Sequence, residues 1–253
     1  MTPDAAVVKV ATRALGKVFK DRKRGPVRAV DDLSFEARSG EIFGLLGVNG
    51  AGKTTTLRLL STMLRPSAGD ATVCGHSVVR EPEQVRRSIG FMSAATSLYG
   101  RLTAREMIAY FGRLHGMDKA RIKARIEELF GRFDMKSFAD TRCDKLSTGM
   151  KQKVSIVRTV LHDPEVMIFD EPTAGLDVLT SRTIVEFVRE CRQRGKCVLF
   201  STHRMDEVEK LCDRVGVIHN GRLLCSEPLE ELRRRVPSGR VEDAFVGLVE
   251  ERT

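Results

Sequence analysis

A glycine-rich run near residue 50 has the residue types and the spacing that bind phosphate groups. Residues 47–54 match the pattern G-x-x-x-x-G-K-[ST], follow a short apolar segment and precede a helical one. In this setting backbone amides surround phosphate oxygens, and the helix N-terminus adds a partial positive charge. Lys53 is expected to reach the β- and γ-phosphates of a nucleotide, and Thr54 to place its hydroxyl on Mg²⁺. The candidate nucleotide-binding residues of this loop are Gly47, Asn49, Gly50, Ala51, Gly52, Lys53, Thr54 and Thr55.

Two acids at the end of an apolar segment form a second candidate group. Asp170 and Glu171 directly follow the sequence Val-Met-Ile-Phe at 166–169. An aspartate at such a strand end can hold Mg²⁺ through water, and the glutamate can orient or polarise the water that attacks a phosphate. Solvated acids at a strand end are common, so the interpretation depends on the phosphate loop upstream. The pair predicts a metal ligand at Asp170 and a catalytic carboxylate at Glu171.

Composition limits the class of protein that can carry these residues. The 253 residues are 42% hydrophobic and 30% charged, as in ordinary globular chains. No segment approaches the roughly 20 apolar residues of a membrane span, and the N-terminal segment lacks the apolar core of an export signal. The six cysteines include no Cys-x-x-Cys pair, which favours reduced thiols over zinc or disulfides. Any role in transport is therefore expected to use other chains.

The chain carries an excess of positive charge. Lysine and arginine total 43 against 34 acids, a formal net charge of +9, with basic runs at 20–28 and 233–235. Nucleic acid, an anionic membrane surface and plain solvation of exposed segments are all compatible with such runs.

Apolar strands that alternate with helical segments predict an α/β fold with a mostly parallel sheet. The N-terminal part, through 37, favours antiparallel strands: one opens at 7–10, one covers 29–37, and a basic loop at 21–28 lies between them. A two-residue Asn220-Gly221 turn predicts a hairpin near the C-terminus. The expected strands of the alternating part are 41–46, 166–169, 197–200 and 215–219, and the expected helices are 52–64, 148–162, 179–194 and 204–211.

The middle of the chain is helical and interrupts this alternation. Thr103 and Glu106 have the spacing of a capping box at the start of a helix. Apolar side chains from Met107 to Leu114 then fall on one face. These patterns predict a helical subdomain at about 95–160, inserted into the core, and charged helices at about 227–253 end the chain.

Three further segments resemble the motifs of ABC transporter ATP-binding subunits. Residues 146–153, Leu-Ser-Thr-Gly-Met-Lys-Gln-Lys, resemble the ABC signature sequence, and the helix after Ser147 is expected to bury Met150, Val154, Val157 and Leu161. Residues 174–177, Ala-Gly-Leu-Asp, resemble the D-loop, and 201–203, Ser-Thr-His, the switch-histidine segment. The resemblance covers nearly the whole chain and implies a P-loop NTPase core, with 1–253 as one ABC ATP-binding domain.

The resemblance also implies roles for individual residues. Ser147 and Gly149 would clamp the γ-phosphate of ATP held by a second copy, so that two chains enclose two ATP molecules. His203 would contact the γ-phosphate in its own chain beside the catalytic Glu171, and Asp177 would link the two sites. Phe19 stands where the family stacks an aromatic ring on adenine, although a core aromatic is an equally good interpretation.

One position departs from the family. Ala94 occupies the place of a glutamine whose side-chain oxygen usually binds Mg²⁺, and alanine offers no such oxygen. Water, or the hydroxyl of Ser93 or Thr96, would then complete the coordination.

Ala94, the segment 98–106 and the LSTGM signature together resemble the sodium-exporter (NatA-like) branch of bacterial ABC exporters. This implies an ATPase that uses ATP and Mg²⁺, pairs with a second ATP-binding subunit, most simply as a homodimer, and powers efflux through a separate membrane permease. It would be a peripheral protein on the cytoplasmic face of the membrane, with no nucleic-acid partner. Two alternatives stay open: a soluble ABC ATPase acting on nucleic acid or ribosomes, and a weakly hydrolysing, ATP-gated regulatory protein.

Overall fold

Two β-sheets and the helices packed on them form the part of the chain described by the computed structural model, residues 7–21, 23, 25–93 and 97–251. The strands are β1 (Val8–Asp21), β2 (Gly25–Leu33), β3 (Glu36–Arg38), β4 (Ile42–Leu46), β5 (Ala68–Val73), β6 (His76–Ser77), β7 (Ile89–Ser93), β8 (Val166–Asp170), β9 (Cys197–Thr202), β10 (Arg214–His219) and β11 (Arg222–Pro228). The helices are α1 (Lys53–Leu60), α2 (Pro82–Ser88), α3 (Ala104–Leu114), α4 (Lys119–Arg132), α5 (Thr148–Val160), α6 (Val178–Gln193), α7 (Met205–Leu211), α8 (Leu229–Arg234) and α9 (Val241–Glu250).

The larger sheet is mostly parallel, which confirms the predicted α/β fold. Its strand order is β11-β10-β4-β9-β8-β7, and the β10–β11 pair alone is antiparallel. Every residue of β4, β8 and β9 is buried, as expected for strands covered on both faces. The predicted hairpin turn at Asn220 and Gly221 is confirmed, and both residues adopt the positive φ that such a turn requires.

The smaller sheet is antiparallel and is built mainly from the N-terminal strands. Its order is β2-β1-β5-β6, with β3 paired to β1. Phe35, next to β3, stacks on Phe43 of β4 with ring centroids 4.8 Å apart, which fastens the two sheets together. The predicted strand 29–37 is in fact two strands, because the chain turns between Leu33 and Glu36 to pair first with one part of β1 and then with another.

The helical middle begins with the predicted capping box. The Thr103 hydroxyl accepts from the Glu106 amide at 3.1 Å, and the Glu106 carboxylate accepts from the Thr103 amide at 2.9 Å. The face predicted from Met107 to Leu114 is only partly buried: Leu114 is 63% exposed, because it closes α3 just before the chain reverses at Gly116.

Several other boundaries differ from the prediction. The loop at 21–28 is shorter, because β1 continues to Asp21 and β2 starts at Gly25. α1 ends at Leu60 rather than Leu64, since Thr62 adopts a left-handed φ of 61° that a helix cannot contain. The helices predicted at 148–162 and 179–194 differ by only one or two residues at their ends.

All six cysteine thiols are free, and four of them are buried. Burial raises the pKa of the Cys191 thiol to about 12 and that of Cys225 to about 11, and it also raises the pKa of Cys74, Cys143, Cys197 and Cys212. Such thiols are poor nucleophiles and poor metal ligands at neutral pH. Within the described residues, no helix is both long and apolar enough to cross a bilayer.

Candidate active site

The site lies where three adjacent parallel strands end. β9 lies between β4 and β8, with Leu46 opposite Thr202 and Asp170 opposite Ser201. The carboxyl ends of parallel strands meet at one edge of a sheet, and ligands commonly bind there. The phosphate loop, the acidic pair and His203 therefore emerge side by side although they are far apart in the sequence.

Glycines allow the loop to lie against the rest of the protein. A Cβ at Gly47 would come within 2.4 Å of the Ile218 carbonyl oxygen, and one at Gly52 within 2.6 Å of the Ala29 carbonyl oxygen. Gly52 also has φ 111°, which side-chain-bearing residues rarely adopt. Close packing therefore requires glycine at positions 47 and 52.

An open cleft of about 380 Å³ lies over this loop. Seven of the eight predicted loop residues line it, all except Gly47, together with Ala29, Val48, Glu171 and Ala174. Lys53 is only 5% exposed, and its Nζ donates to the carbonyl oxygens of Gly47 at 2.6 Å and Val48 at 3.3 Å. This holds a positive charge in a cleft lined mainly by the glycine-rich loop, which suits a polyphosphate.

Asp170 is buried among hydroxyl groups. Its Oδ1 accepts from Thr54 Oγ1 at 3.1 Å and from Ser201 Oγ at 2.8 Å, and its Oδ2 accepts from Ser93 Oγ at 3.3 Å. The structure therefore brings together Thr54 and Asp170, the two predicted metal ligands. A carboxylate and a hydroxyl oxygen at this distance are the hard ligands that Mg²⁺ prefers, so these residues fit the ion.

Glu171 contacts the side chains of Lys53 and His203. Its Oε1 lies 3.4 Å from Lys53 Nζ, and its Oε2 lies 2.6 Å from His203 Nδ1. Glu171 has φ 52°, an uncommon backbone conformation for this residue type, and its amide donates to the carbonyl oxygen and to Oγ of Ser201. Lys53, Glu171 and His203 thus form one contiguous group of ionisable side chains at the cleft.

The signature segment lies at the N-terminus of α5. Ser147 is the N-cap, and its hydroxyl accepts from the Met150 amide at 3.3 Å. Val154, Val157 and Leu161 are buried as predicted, but Met150 is 36% exposed, because the first turn of α5 projects beyond the helices that cover the later turns. Ser147 is exposed and does not line the cleft over the phosphate loop.

Asp177 lies beside this helix end. It is the N-cap of α6 and accepts from the Thr180 amide at 2.9 Å and the Thr180 hydroxyl at 2.8 Å, bonds that hold its pKa below the usual value. A Cβ on Gly149 would lie 3.7 Å from the Asp177 carboxylate. The structure therefore brings the signature residues and the D-loop aspartate together on one exposed surface.

Phe19 lies apart from this arrangement. Phe19 is 39% exposed on β1, with Lys17 Nζ 5.4 Å from its ring centroid, and it does not line the cleft. It is therefore not a core aromatic. Ala94 and Thr96 lie outside the described residues.

Two side chains at the site were not predicted. The Ser201 hydroxyl joins the Asp170 carboxylate to the Glu171 amide, and the buried Glu207 accepts from the hydroxyls of Thr173 and Thr202. Ser201 lies opposite Asp170, so a hydroxyl at the same end of the next strand would have been its signal. Glu207 lies in the first turn of α7, and no local pattern indicated its contacts.

A second cleft of about 270 Å³ lies between α3, α5 and β7. Arg158 lines it at 6% exposure, with its guanidinium 5.1 Å from the Phe111 ring centroid and without a carboxylate partner among the described residues. The rings of His115 and His162 stack beside it, with centroids 3.7 Å apart. Burial, together with the neighbouring His115, lowers the pKa of His162 to about 4.

Comparison with known proteins points to one family. Residues 30–174 match the family described as ABC transporter. The chain is 46% identical over 215 residues to the ABC transporter ATP-binding protein NatA of Bacillus subtilis, covering 85% of this chain and 87% of that protein. It is 42% identical to the Nod factor export ATP-binding protein I of Paraburkholderia xenovorans, over 78% of this chain and 65% of that protein.

A solved ATP-binding subunit of an ABC transporter has the same fold. Its sequence is 28% identical and its TM-score is 0.86, and the match covers 95% of this chain and 99% of that chain. With the family match over more than half of the chain and this site geometry, the chain belongs to the ABC transporter family, as an ATP-binding subunit that hydrolyses ATP.

Proposed function

We propose that ATP binds in the cleft over residues 47–55, with Lys53 on the β- and γ-phosphates. The observation that carries this proposal is the contact of Glu171 with both Lys53 and His203, in which Lys53 and Glu171 line that cleft. Lys53 is held by two carbonyl oxygens and by Glu171. A γ-phosphate would take over these contacts and leave Glu171 free to orient water.

Mg²⁺ would be held by the Thr54 hydroxyl and by Asp170, directly or through water. Bound there, the ion would neutralise charge on the phosphates. Ser201 and Ser93 would orient the Asp170 carboxylate through the hydrogen bonds described above. Phe19, exposed on β1, remains the proposed platform for adenine.

Hydrolysis would depend on Glu171 and His203. The Glu171 carboxylate would accept a hydrogen bond from the attacking water and so align it with the γ-phosphate. His203, already in contact with Glu171, would donate to a γ-phosphate oxygen. Catalysis of phosphoryl transfer is mostly positioning and charge stabilisation, and these residues supply both.

The signature residues would act on ATP bound by a second copy of the chain. Ser147 and Gly149 are positioned at a helix N-terminus, which favours an anion, yet they do not line the cleft of their own chain. Asp177, next to Gly149, would connect the two sites. Chain 1–253 would then be a single ABC ATP-binding domain, with the helical subdomain at about 95–160 carrying the signature to its partner.

The test is light scattering coupled to size-exclusion chromatography on Glu171→Gln, with and without ATP. If hydrolysis is blocked while binding is intact, ATP should convert monomer to a species of twice the mass. Glu171→Gln combined with Lys53→Ala should stay monomeric, because phosphate binding is lost. A Glu171→Gln protein that binds ATP yet stays monomeric would contradict the proposed self-pairing.

A separate membrane permease would dock in the cleft lined by Arg158. The buried Arg158 guanidinium has no acidic partner among the described residues. An unpaired buried charge costs free energy, so an acidic side chain of the permease would form an ion pair with Arg158. In the source cells, Arg158→Met should reduce the fraction of the chain that sediments with membranes, whereas Arg182→Met at an exposed position should not. Equal sedimentation of both variants would contradict this docking site.

The transport direction would be export, and the chain would work at the cytoplasmic face of the membrane. Sodium is the proposed cargo, from the resemblance to the sodium-exporter branch and the 46% identity to NatA. Inside-out vesicles containing the complex should accumulate ²²Na⁺ when given ATP, and vesicles with Glu171→Gln should not. ATP hydrolysis without ²²Na⁺ accumulation would point to another cargo.

A further inference from the structure

Glu207 is a buried carboxylate to which the proposed reaction assigns no role. It lies in the first turn of α7 and is 4% exposed. Its Oε1 accepts from Thr173 Oγ1 at 2.6 Å and lies 3.1 Å from an Arg204 guanidinium nitrogen, and its Oε2 accepts from Thr202 Oγ1 at 2.8 Å. Removing a buried carboxylate whose two oxygens both accept hydrogen bonds costs free energy, because its hydroxyl partners are left without an acceptor.

The two hydroxyl partners of Glu207 flank the proposed reacting groups. Thr173 lies two residues after Glu171, and Thr202 directly precedes His203. Both threonines are buried, at 3% and 1% exposure. One carboxylate therefore holds, from the interior, the two segments whose outer side chains meet at the Glu171–His203 contact.

The backbone of Glu171 needs such support. Its positive φ of 52° costs free energy in a residue with a side chain and persists only when neighbouring contacts impose it. On one side the Glu171 amide is held by Ser201, and on the other the Ala174 amide donates to the Glu171 carbonyl oxygen at 3.2 Å. The Thr173–Glu207 hydrogen bond fixes the middle of this short turn.

We propose that Glu207 is a positioning residue for ATP hydrolysis, acting through Thr173 on Glu171 and through Thr202 on His203. Glu207 does not line the cleft over the phosphate loop, so its effect would be indirect. The proposal rests on the roles proposed above for Glu171 and His203. Without Glu207 the turn after Glu171 would relax, and the carboxylate would no longer point steadily at the attacking water, while the phosphate loop would be unaffected.

The experiment compares kcat and KM for ATP in Glu207→Gln and Glu207→Ala, at a temperature well below the unfolding midpoint of each variant. A shift of about 1 Å in a catalytic group costs up to about 100-fold, so Glu207→Ala should lose kcat by about that factor. Glu207→Gln keeps one acceptor oxygen and should recover activity partly, to within about tenfold of the wild type. KM for ATP should change less than about threefold in both, because the loss concerns the reaction and not binding.

Thr173→Val tests the route of the effect. If Glu207 acts through Thr173, adding Thr173→Val to Glu207→Ala should lower kcat by less than Thr173→Val does alone. Asp206→Asn is the matched control: it removes a carboxylate from the same helix turn at an exposed position, and its kcat should match the wild type. Full additivity, or an equal loss in Asp206→Asn, would overturn the proposal.

Measuring kcat of Glu171→Gln in the same assay distinguishes failure of the Glu207 proposal from failure of the proposed function on which it rests. An active Glu171→Gln enzyme would overturn the proposed role of Glu171 and the Glu207 proposal with it. An inactive Glu171→Gln enzyme together with fully active Glu207 variants would overturn the Glu207 proposal alone.

Discussion

At the scale of single residues, the site depends on hydroxyl groups that orient its two acids. Ser201 is fully buried and connects the Asp170 carboxylate to the Glu171 amide. Thr54 and Ser93 contribute further hydrogen bonds to Asp170. The metal-binding and catalytic acids are therefore coupled through the side chain of a neighbouring strand.

Ser201→Ala should lower kcat by about tenfold, since one hydrogen bond to a charged group contributes roughly 1.5 kcal/mol. It should also raise the Mg²⁺ concentration for half-maximal activity, because Asp170 loses a group that orients it. Steady-state ATPase assays over a Mg²⁺ titration measure both effects. Ser137→Ala, at an exposed position outside the site, should match the wild type, and an unchanged Mg²⁺ titration in Ser201→Ala would contradict this role.

The contiguous motifs predict Lys53, Asp170 and Glu171 as site residues, whereas the cross-strand contacts of these residues could not be predicted from the sequence. The position of Lys53 follows from one short run of glycines, and that of Asp170 and Glu171 from the end of one apolar strand. The contacts of Ser201 with both acids depend on β9 pairing with β8 in a register that puts Ser201 opposite Asp170. Strand order is set by packing of the whole sheet, and no local pattern encodes it.

At the scale of elements, close packing between β7 and α5 fixes the helical segment against the sheet. A Cβ at Gly90 of β7 would lie 2.4 Å from the Thr159 carbonyl oxygen of α5, and backbone cannot move aside cheaply. α5 carries Ser147 at its other end, so its placement determines where the signature residues are presented.

Gly90→Ala should lower the free energy of unfolding by about 1–3 kcal/mol through overpacking. Gly247→Ala is the contrasting change, because Gly247 lies in α9 with nothing near its Cβ position. Removing a helical glycine there should raise the free energy of unfolding by about 0.5–1 kcal/mol. Urea unfolding measures both, and effects of the same sign would contradict the packing argument.

The apolar periodicity predicted the positions of most helices but not the burial of the side chains in their terminal turns. Met150 and Leu114 continue an apolar pattern, yet both are exposed because each lies in a terminal turn that its neighbours do not cover. An apolar period identifies the face of a helix, whereas the depth of burial along it depends on the lengths of the elements packed against it.

At the scale of the whole molecule, stability should depend on pH through His162. Burial favours its neutral form, so its pKa in the folded state, about 4, lies below the ordinary value of 6.5. The contribution of neutral His162 to the free energy of unfolding is therefore complete above about pH 6.5 and is lost as the pH falls towards 4. His162→Gln, which can still donate to the Ile89 carbonyl oxygen, should lose less stability than the wild type between pH 7 and pH 4.5 in urea unfolding. Parallel pH profiles would contradict this assignment.

Association should depend on the exposed apolar pair at the start of α6. Val178 and Leu179 are 82% and 77% exposed, next to Asp177. Such side chains mark a surface that a partner covers. Replacing both by aspartate should prevent ATP-dependent doubling of mass in the Glu171→Gln background while ATP affinity stays unchanged. Val246→Asp on α9 is the matched control and should still form the larger species.

The buried thiols determine how this chain responds to labelling chemistry. Maleimides react with the thiolate, and the raised pKa values keep the thiolate fraction of every native cysteine very small. A cysteine introduced at Val246, an exposed position at which substitution should leave association intact, would react far faster than the six native ones. A donor and an acceptor dye at that position would then report by energy transfer when two subunits approach, in a chain that keeps all of its own cysteines.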